Sequence, residues 1–417
     1  MSKFIIQGGK PLTGTVAVSG SKNAALPILA ATLLTPAKCR LHNVPDVADV
    51  HLLLKILQLI GAEFSFTGNT VEIQTHQIRT TKIPFELASK MRASILLLGP
   101  LLARAGRAEL AFPGGCVIGK RQVQTHLQAL SEFGARNFST NSTLKFRTRK
   151  LAATQFTLPE MSVTATENAL MLAASLAGRS EIKLGAREPH VQNLIEFLEK
   201  LGARIENNQL ANCKVQGRQK LKGAEFRVTP DYLEAGTLTL AAVLTRGRVK
   251  LTNICPEQLE LFWQKLREVG AQFSLGKNSV EILPTKSLTA TEIKTAVFPG
   301  FPTDLQAPFA VLLTRARGKS RIFETLFEGR LNYLFELEKM GARVEMLNPQ
   351  QAVIFGGGRL RAASVTSCDL RAGAAIVLAA LAARGVSEIT NIEYIERGYE
   401  HFAEKLRKLG AEIRRVA

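Results

Sequence analysis

Hydrophobic and polar positions repeat along the chain about every 70 residues. Six segments share a Leu-rich amphipathic run, a Gly-Ala pair and then residues that alternate in polarity: LQLIGAEF, LSEFGARN, LEKLGARI, LREVGAQF, LEKMGARV and LRKLGAEI. The glycines of these segments are Gly61, Gly134, Gly202, Gly270, Gly341 and Gly410. Glycine caps helix C-termini because it enters the left-handed conformation at little cost, and alternation is typical of a half-buried strand. The pattern predicts six repeats, each with a surface helix followed by strands.

Each repeat also contains a second helical segment that is apolar on nearly every side. These segments are LPILAATLL, ASILLLGPLLA, ALMLAASLA, GTLTLAAVL, LQAPFAVLL and GAAIVLAALA. A helix that is apolar all round must be buried all round. We therefore predict an α/β fold in which every repeat has one buried helix, one surface helix and several strands that shield the buried helix from water.

Polar residues gather at the predicted start of each buried helix. They are Lys22 and Asn23, Lys90 and Arg92, the stretch 162–167, Asp231 and Glu234, Thr303 and Asp304, and Asp369 and Arg371. We interpret Ser162, Thr164 and Thr303 as helix caps. A cation at the start of a helix opposes the helix dipole. The cations in this set therefore predict a phosphate or carboxylate ligand at the helix N-termini.

Two arginines occupy equivalent positions in the second and sixth repeats. Arg121 lies 13 residues before Gly134, and Arg397 lies 13 residues before Gly410. If three repeats form each of two domains, these arginines converge on one ligand. Arg187 and Arg330 have similar offsets, and for them a ligand-binding role and simple solvation of a helix start both remain open.

Charge and composition restrict the partners. The 417 residues include 54 Lys and Arg against 35 Asp and Glu, so the net charge is +19, which suits nucleic acid, anionic membranes or phosphorylated substrates. With one Trp, four Tyr and no clustered basic-aromatic stretch, specific nucleic-acid binding is not expected. The longest uncharged apolar run, residues 93–103, is shorter than the ~20 residues of a membrane-spanning helix, and the start MSKFIIQGGK lacks signal-peptide features. We expect no membrane insertion.

The five cysteines predict a reduced, cytoplasmic protein without a metal site, because they form no CxxC pair. Cys116 differs from the others, since it lies in the glycine-rich stretch FPGGCVIGKR beside Lys120 and Arg121. A cationic, flexible setting is typical of a reactive thiol. We interpret the remaining cysteines as buried apolar residues, and these are Cys39, Cys213, Cys255 and Cys368.

Five motifs carry a resemblance to a known family. They are SGSKNAALP at 19–27, PGGC at 113–116 closed by Arg121, FPTD at 301–304, DLR at 369–371 and RGY at 397–399. In this order they resemble the enolpyruvyl transferases, and among them the UDP-N-acetylglucosamine 1-carboxyvinyltransferase family. The resemblance implies two inside-out α/β barrel domains of three repeats each, 22–229 and 1–21 plus 230–417, with the active site in the cleft between them. It also implies that the first strand pairs within the C-terminal domain.

The resemblance implies a reaction and a set of roles. The family transfers enolpyruvyl from phosphoenolpyruvate to the 3-hydroxyl of UDP-N-acetylglucosamine, the first committed step of peptidoglycan synthesis, without a cofactor or metal. Cys116 is the implied proton donor, Asp304 the implied base, and Asp369 assists. The residues implied for phosphoenolpyruvate are Lys22, Asn23, Arg121 and Arg397. Those implied for the UDP-sugar are Asn23, Arg92, Arg121, Ser162, Val163, Asp304 and Leu326, while Arg371 completes the cationic surroundings.

The chain departs from the family pattern on the nucleotide side. Gln122, Gln124 and Thr125 replace the usual Pro, Asp and Leu after the arginine, Glu160 replaces a common Lys, and Thr164 replaces Gly. Drift within the family and an altered acceptor preference both account for these changes. A shikimate 3-phosphate transferase would lack the PGGC loop, whereas a non-catalytic paralogue would have lost the reactive residues that survive here.

Overall fold

The structure, a computed structural model, describes residues 2–114, 118–119, 122–207 and 211–416. These residues form two compact units. Unit 1 contains residues 2–19, 118–119 and 230–416, and unit 2 contains residues 20–114, 122–207 and 211–229. The chain therefore starts in unit 1, forms unit 2 and returns to unit 1.

The described residues form 24 strands, numbered here in chain order. The first twelve are β1 (Lys3–Gly8), β2 (Thr13–Ala17), β3 (Cys39–His42), β4 (Glu63–Thr67), β5 (Thr70–Gln74), β6 (Lys82–Ile83), β7 (Arg107–Ala111), β8 (Arg136–Asn137), β9 (Thr143–Arg147), β10 (Gln155–Thr157), β11 (Gly178–Lys183) and β12 (Arg204–Asn207). The others are β13 (Cys213–Gly217), β14 (Glu225–Arg227), β15 (Arg248–Thr252), β16 (Gln272–Leu275), β17 (Ser279–Leu283), β18 (Glu292–Lys294), β19 (Lys319–Phe323), β20 (Arg343–Asn348), β21 (Gln351–Phe355), β22 (Ser364–Thr366), β23 (Gly385–Thr390) and β24 (Glu412–Val416).

The same residues form 14 α-helices and three 3-10 segments. The α-helices are α1 (Lys22–Ala31), α2 (Ala48–Ile60), α3 (Phe85–Ala88), α4 (Leu98–Ala105), α5 (Gln124–Glu132), α6 (Val163–Ala174), α7 (Pro189–Leu201), α8 (Tyr232–Leu244), α9 (Glu260–Glu268), α10 (Thr303–Leu313), α11 (Leu334–Lys339), α12 (Leu370–Ala382), α13 (Glu393–Glu396) and α14 (Phe402–Lys408). The 3-10 segments are Thr32–Leu34, Arg92–Leu97 and Pro256–Leu259.

The strands pair into six four-stranded sheets, three in each unit. The orders are β14-β3-β5-β4, β6-β7-β9-β8 and β10-β11-β13-β12 in unit 2, and β2-β15-β17-β16, β18-β19-β21-β20 and β22-β23-β1-β24 in unit 1. Every sheet has one parallel pair followed by two antiparallel pairs. Strand β1 pairs with β23 and β24, so the start of the chain completes the last sheet, as the resemblance implied.

The six repeat glycines end the surface helices α2, α5, α7, α9, α11 and α14, as the sequence pattern predicted. Each of them has a positive φ, between 85° and 122°. A side chain at such a position would be strained, so glycine ends each helix and turns the chain into the next strand.

The second helix of each repeat is buried, which confirms the prediction from composition. All 13 residues of α8 are buried, and all of α12 except its last residue. The second repeat differs, because a 3-10 segment, Arg92–Leu97, precedes a short α4. Pro100 has no N–H to donate to Leu96, but proline alone does not cause the break, because Pro27 and Pro308 lie inside the continuous helices α1 and α10. Each unit has its own apolar core around these helices. None of the described helices is long and apolar enough to span a membrane.

Candidate active site

Asp304 lies in the first turn of α10, between two arginines of unit 1. Its Oδ1 is 2.6 Å from Nη2 of Arg330, and its Oδ2 is 3.0 Å from Nε of Arg371. Both arginines are buried, whereas the carboxylate is only half-buried. Burial opposes the charge of Asp304, but the two guanidinium groups outweigh it and hold the pKa of the carboxyl well below its usual range. Asp304 is therefore an anion that a ligand can reach.

Asp369 and Arg371 connect the starts of two buried helices. The Oδ1 atom of Asp369 caps α12 by accepting hydrogen bonds from the backbone N–H groups of Arg371 (2.7 Å) and Ala372 (2.9 Å). The guanidinium of Arg371 lies over the Tyr399 ring, 4.9 Å from its centroid. Burial opposes its charge, but Tyr399 and Asp304 stabilise it and raise the pKa of Arg371 well above its usual value. Unit 1 thus brings the two predicted carboxylates together through one arginine.

A chain of buried hydrogen bonds links Asp304 to the segment that contains Leu326. Arg330 donates from Nη1 to Oγ1 of Thr303 (2.9 Å), and that hydroxyl donates to Oε2 of Glu324 (2.8 Å). The other carboxylate oxygen of Glu324 accepts from the backbone N–H of Leu326 (3.0 Å). The sequence leaves the role of Arg330 open and does not mark Glu324. Arg330 was detectable from its offset before Gly341, but no sequence signal marks a residue that follows β19 and contacts α10.

In unit 2, Lys22 and Asn23 begin α1, where Ser21 caps the helix by accepting a hydrogen bond from the N–H of Ala24 (3.4 Å). The Nζ atom of Lys22 lies 3.0 Å from Oδ2 of Asp49, and both residues are buried. The charge of Lys22 is therefore balanced within the unit while the residue is held at the helix start.

The start of α5 contacts the start of α6. The Nε2 atom of His126 lies 2.8 Å from Oγ1 of Thr164, and the hydroxyl of Thr125 donates to Oε1 of Glu160 (2.8 Å). Burial first and the charge of Arg92 second lower the pKa of His126 to about 3, so its ring is neutral at physiological pH. These two hydrogen bonds flank Ser162 and Val163, the residues predicted to contact the UDP-sugar.

Arg92, which begins the 3-10 segment before α4, donates from Nη2 to the backbone carbonyl of Gln122 (2.9 Å). Gln122 directly precedes the start of α5, so the predicted UDP-sugar residue Arg92 belongs to the same region of unit 2. The polar residues of this region therefore connect the second and third repeats.

The capping interpretation is wrong for three residues. Ser162 occupies the cap position of α6, but its side chain makes no capping hydrogen bond. Thr164 contacts His126 instead, and Thr303 contacts Arg330 and Glu324. The Thr164 hydroxyl contacts the neighbouring repeat, and the Thr303 hydroxyl contacts a later segment of its own repeat. Local sequence reveals neither contact.

The structure describes only some of the residues predicted for the site. Cys116 and Arg121 lie outside the described residues. Arg397 directly follows α13 and is half-buried. Across the described ranges, no group of three His, Cys, Asp or Glu side chains is arranged to hold a metal ion.

The structure describes the four other cysteines. Cys39 and Cys213 are buried as predicted, but the prediction is wrong for Cys255, which is half-buried, and for Cys368, which is exposed. Cys368 follows the short edge strand β22, whose end the sheet does not cover. Partial burial, Glu336 and Asp369 raise the pKa of the Cys368 thiol to about 11, so it is not a reactive thiolate.

Comparison with known proteins identifies the family. The family model described as EPSP synthase (3-phosphoshikimate 1-carboxyvinyltransferase) matches residues 6–406, and the chain belongs to this family. The chain is 42% identical to a UDP-N-acetylglucosamine 1-carboxyvinyltransferase of Shewanella denitrificans, over 100% of both chains. It is 41% identical to the protein of that name from Methylacidiphilum infernorum, over 100% of this chain and 99% of the relative. The crystal structure of the enolpyruvyl transferase NikO from Streptomyces tendae matches with a TM-score of 0.90 and 25% identity, over 100% of this chain and 99% of that one.

Proposed function

We propose that this chain is a transferase that moves the enolpyruvyl group of phosphoenolpyruvate to the 3-hydroxyl of UDP-N-acetylglucosamine and releases phosphate. The observation that carries the proposal is identity above 40% over the whole length with relatives named for this reaction. The reaction starts peptidoglycan synthesis. Its partners are therefore two anionic small molecules, and the proposed location is the cytoplasm.

The reaction is an addition followed by an elimination. The sugar hydroxyl forms a bond to C2 of phosphoenolpyruvate and loses its proton, while C3 gains a proton from the Cys116 thiol. In the second step C3 loses a proton, the C2–O bond to phosphate breaks, and the double bond forms again. Lys22, Arg121 and Arg397 hold the phosphate and carboxylate groups, which stabilises the charge that develops on them.

Asp304 is the proposed base for the sugar hydroxyl, and its ion pairs determine how strongly it binds a proton. A carboxyl whose pKa is held low by Arg330 and Arg371 binds a proton weakly. An anionic substrate that engages Arg371 draws this charge away from Asp304 and raises the pKa of the carboxyl. Arrival of substrate therefore strengthens the base, and Asp369 supports the arrangement by capping α12.

The two units correspond, in this proposal, to the two inside-out barrel domains of the family, 22–229 and 1–21 plus 230–417. Three buried helices and three sheets in each unit support the assignment. The residues of the reaction come from both units, since Lys22, Asn23, Arg92, Ser162 and Val163 belong to unit 2 and Asp304, Leu326, Asp369 and Arg397 to unit 1.

A second candidate function is the same transfer to a different acceptor. The observation that favours it is that three departures from the family pattern lie together: Thr125 bonds to Glu160, and Thr164 bonds to His126, the residue after Thr125. Departures that contact each other form one altered surface beside Ser162 and Val163. That surface carries an acidic residue where a lysine is common, which disfavours an acceptor with a diphosphate.

Release of phosphate from phosphoenolpyruvate tests both candidates. We expect release with UDP-N-acetylglucosamine and much less with UDP-N-acetylgalactosamine or shikimate 3-phosphate. Cys116→Ala should abolish the reaction, while the matched control Cys368→Ala, in an exposed thiol with no assigned role, should leave it unchanged. Release with another acceptor alone would favour the second candidate, and no release with any acceptor would contradict both.

The epoxide fosfomycin, which mimics phosphoenolpyruvate, gives an independent test of the Cys116 assignment. We expect one covalent adduct per chain, located on Cys116 by peptide mass spectrometry, and none on Cys368, whose thiol stays protonated near neutral pH. Modification of Cys368 with Cys116 intact would count against the assignment.

A further inference from the structure

Three arginines follow the buried helices of unit 1 at equivalent positions. Helices α8, α10 and α12 end at Leu244, Leu313 and Ala382, and the second residue after each end is Arg246, Arg315 or Arg384. The three helices pack against one another, and their starts also meet, since Asp304 of α10 bonds to Arg371 of α12 and the charge of Asp231, which caps α8, acts on Arg371. The helices therefore run in the same direction, and the three arginines lie at one end of the unit.

A fourth arginine completes this arginine cluster. Arg359 follows the three consecutive glycines 356–358, in the connection after β21. Arg315 is half-buried, and burial followed by the charges of Arg246, Arg359 and Arg384 lowers the pKa of its guanidinium. Four positive charges that repel one another raise the free energy of the folded state unless an anion balances them.

No anionic side chain in the described part of the chain pairs with these arginines. None of the four guanidinium groups forms a hydrogen bond or ion pair with a described residue. By contrast, Arg104, near the end of α4, has backbone partners: it donates to the carbonyls of Leu33 (2.8 Å) and His76 (3.2 Å). The cluster in unit 1 is therefore not explained by helix capping.

We propose that the arginine cluster binds a small oligophosphate. The planar guanidinium fork matches phosphate oxygens in pairs, and four charges suit a multiply charged anion better than a monoanion. Gly357 and Gly358 have open space where a side chain would begin, so the backbone of this connection can approach a ligand closely. Inorganic oligophosphate and the phosphate chain of a nucleotide share this chemistry.

The cluster is separate from the residues of the proposed reaction. Arg371, at the start of α12, and Arg384, after its end, are 13 residues apart, which corresponds to about 20 Å along a helix. The oligophosphate site therefore lies at the opposite end of the buried helices from Asp304 and Asp369, and it does not depend on the proposed function.

Thermal unfolding with inorganic triphosphate, at ionic strength matched with sodium chloride, tests the proposal. At triphosphate concentrations ten times the dissociation constant, we expect Tm of the wild-type chain to rise by about 3–6 °C. Arg315→Gln and Arg384→Gln should remove this rise. The controls Arg317→Gln, in an exposed neighbour, and Arg397→Gln, in the proposed reaction site, should retain it. A second titration with a nucleoside triphosphate shows whether the base contributes beyond the phosphate chain.

Unfolding without triphosphate separates a ligand site from a structural role. Removing one of four repelling charges should leave Tm of Arg384→Gln in dilute buffer unchanged or higher than that of the wild type. A lower Tm would show that the arginine stabilises the helix end and would overturn the proposal. An equal rise with triphosphate in the wild type and in Arg315→Gln, or no rise in the wild type, would overturn it as well.

Discussion

Glu234 in unit 1 and Glu167 in unit 2 are buried carboxyl groups near the starts of buried helices. The charged neighbour of Glu234 is a lysine, whereas that of Glu167 is a second glutamate. Glu234 contacts Nζ of Lys405 and accepts a hydrogen bond from the backbone N–H of Ser19 (2.9 Å). Glu167 faces the carboxyl of Glu188, and its Oε1 has no hydrogen-bond partner among the described residues. Equivalent burial is therefore combined with an ion pair in one unit and with a like charge in the other.

The pKa values follow this difference. Burial raises the pKa of Glu234, and Lys405 opposes the rise, so the increase is limited. Burial and the like charge of Glu188 act together on Glu167 and raise its pKa well above the usual value. The comparison teaches that the neighbours of a buried carboxyl, and not its burial alone, decide how far its pKa rises.

The largest expected effect comes from breaking the ion pair. Glu234→Gln should lower the free energy of unfolding of unit 1 by about 3–5 kcal/mol, because it leaves Lys405 buried without its carboxylate. The single tryptophan, Trp263, is buried in unit 1, so its fluorescence during urea unfolding reports this unit. The double variant Glu234→Gln/Lys405→Met should recover part of the loss, and a loss equal to the sum of the two single variants would contradict the pairing.

Glu167→Gln should instead stabilise unit 2, increasingly as pH rises. A carboxyl whose pKa is raised on folding binds its proton more tightly in the folded state, so its contribution to stability declines above the unfolded pKa of about 4.3 and continues to decline up to the folded pKa. Glutamine does not titrate. The difference in free energy of unfolding between the variant and the wild type should therefore grow by up to about 1.4 kcal/mol per pH unit above pH 5. Hydrogen exchange of the α6 amides measures this difference. A pH-independent difference would contradict the protonated state.

Asp304 provides a third case, a half-buried carboxylate held by two cations. Thr303→Val removes the hydroxyl that joins Arg330 to Glu324, while Thr303→Ser keeps it. We expect the KM for UDP-N-acetylglucosamine to rise about tenfold in the valine variant, which corresponds to one lost hydrogen bond to a charged group, and to stay near the wild-type value in the serine variant. Equal kinetics in both variants would show that the link does not position Asp304.

Ser19→Ala should have the smallest effect. The Ser19 hydroxyl contacts Glu400 and Lys405, so its loss removes a neutral partner but keeps the ion pair to Glu234. We expect the free energy of unfolding of unit 1 to decrease by about 1 kcal/mol, again measured by Trp263 fluorescence during urea unfolding. A decrease as large as that of Glu234→Gln would mean that Ser19, and not the opposite charge, stabilises the buried carboxylate.

Much of the fold was predictable from the sequence because its signals are local. Gly61 and the five equivalent glycines mark helix ends, and the apolar helices are buried as their composition required. The 3-10 segment Arg92–Leu97 was not predictable, because proline also lies inside the continuous helices α1 and α10. For the proposed site, the motifs predict Lys22, Asp304 and Asp369, but the partners of these residues were not predictable.

The sequence alone therefore determined the six repeats, the helix ends, the buried helices and the family. Only the tertiary structure decided how the charges pair. Asp304 meets Arg330 from 26 residues away and Arg371 from 67 residues away. Hydrophobic periodicity records which face of a helix is buried, and that depends on residues three or four positions apart. Which cation reaches which carboxylate depends on how helices from different repeats pack, so the same kind of buried glutamate lies beside a lysine at position 234 and beside a second carboxyl at position 167.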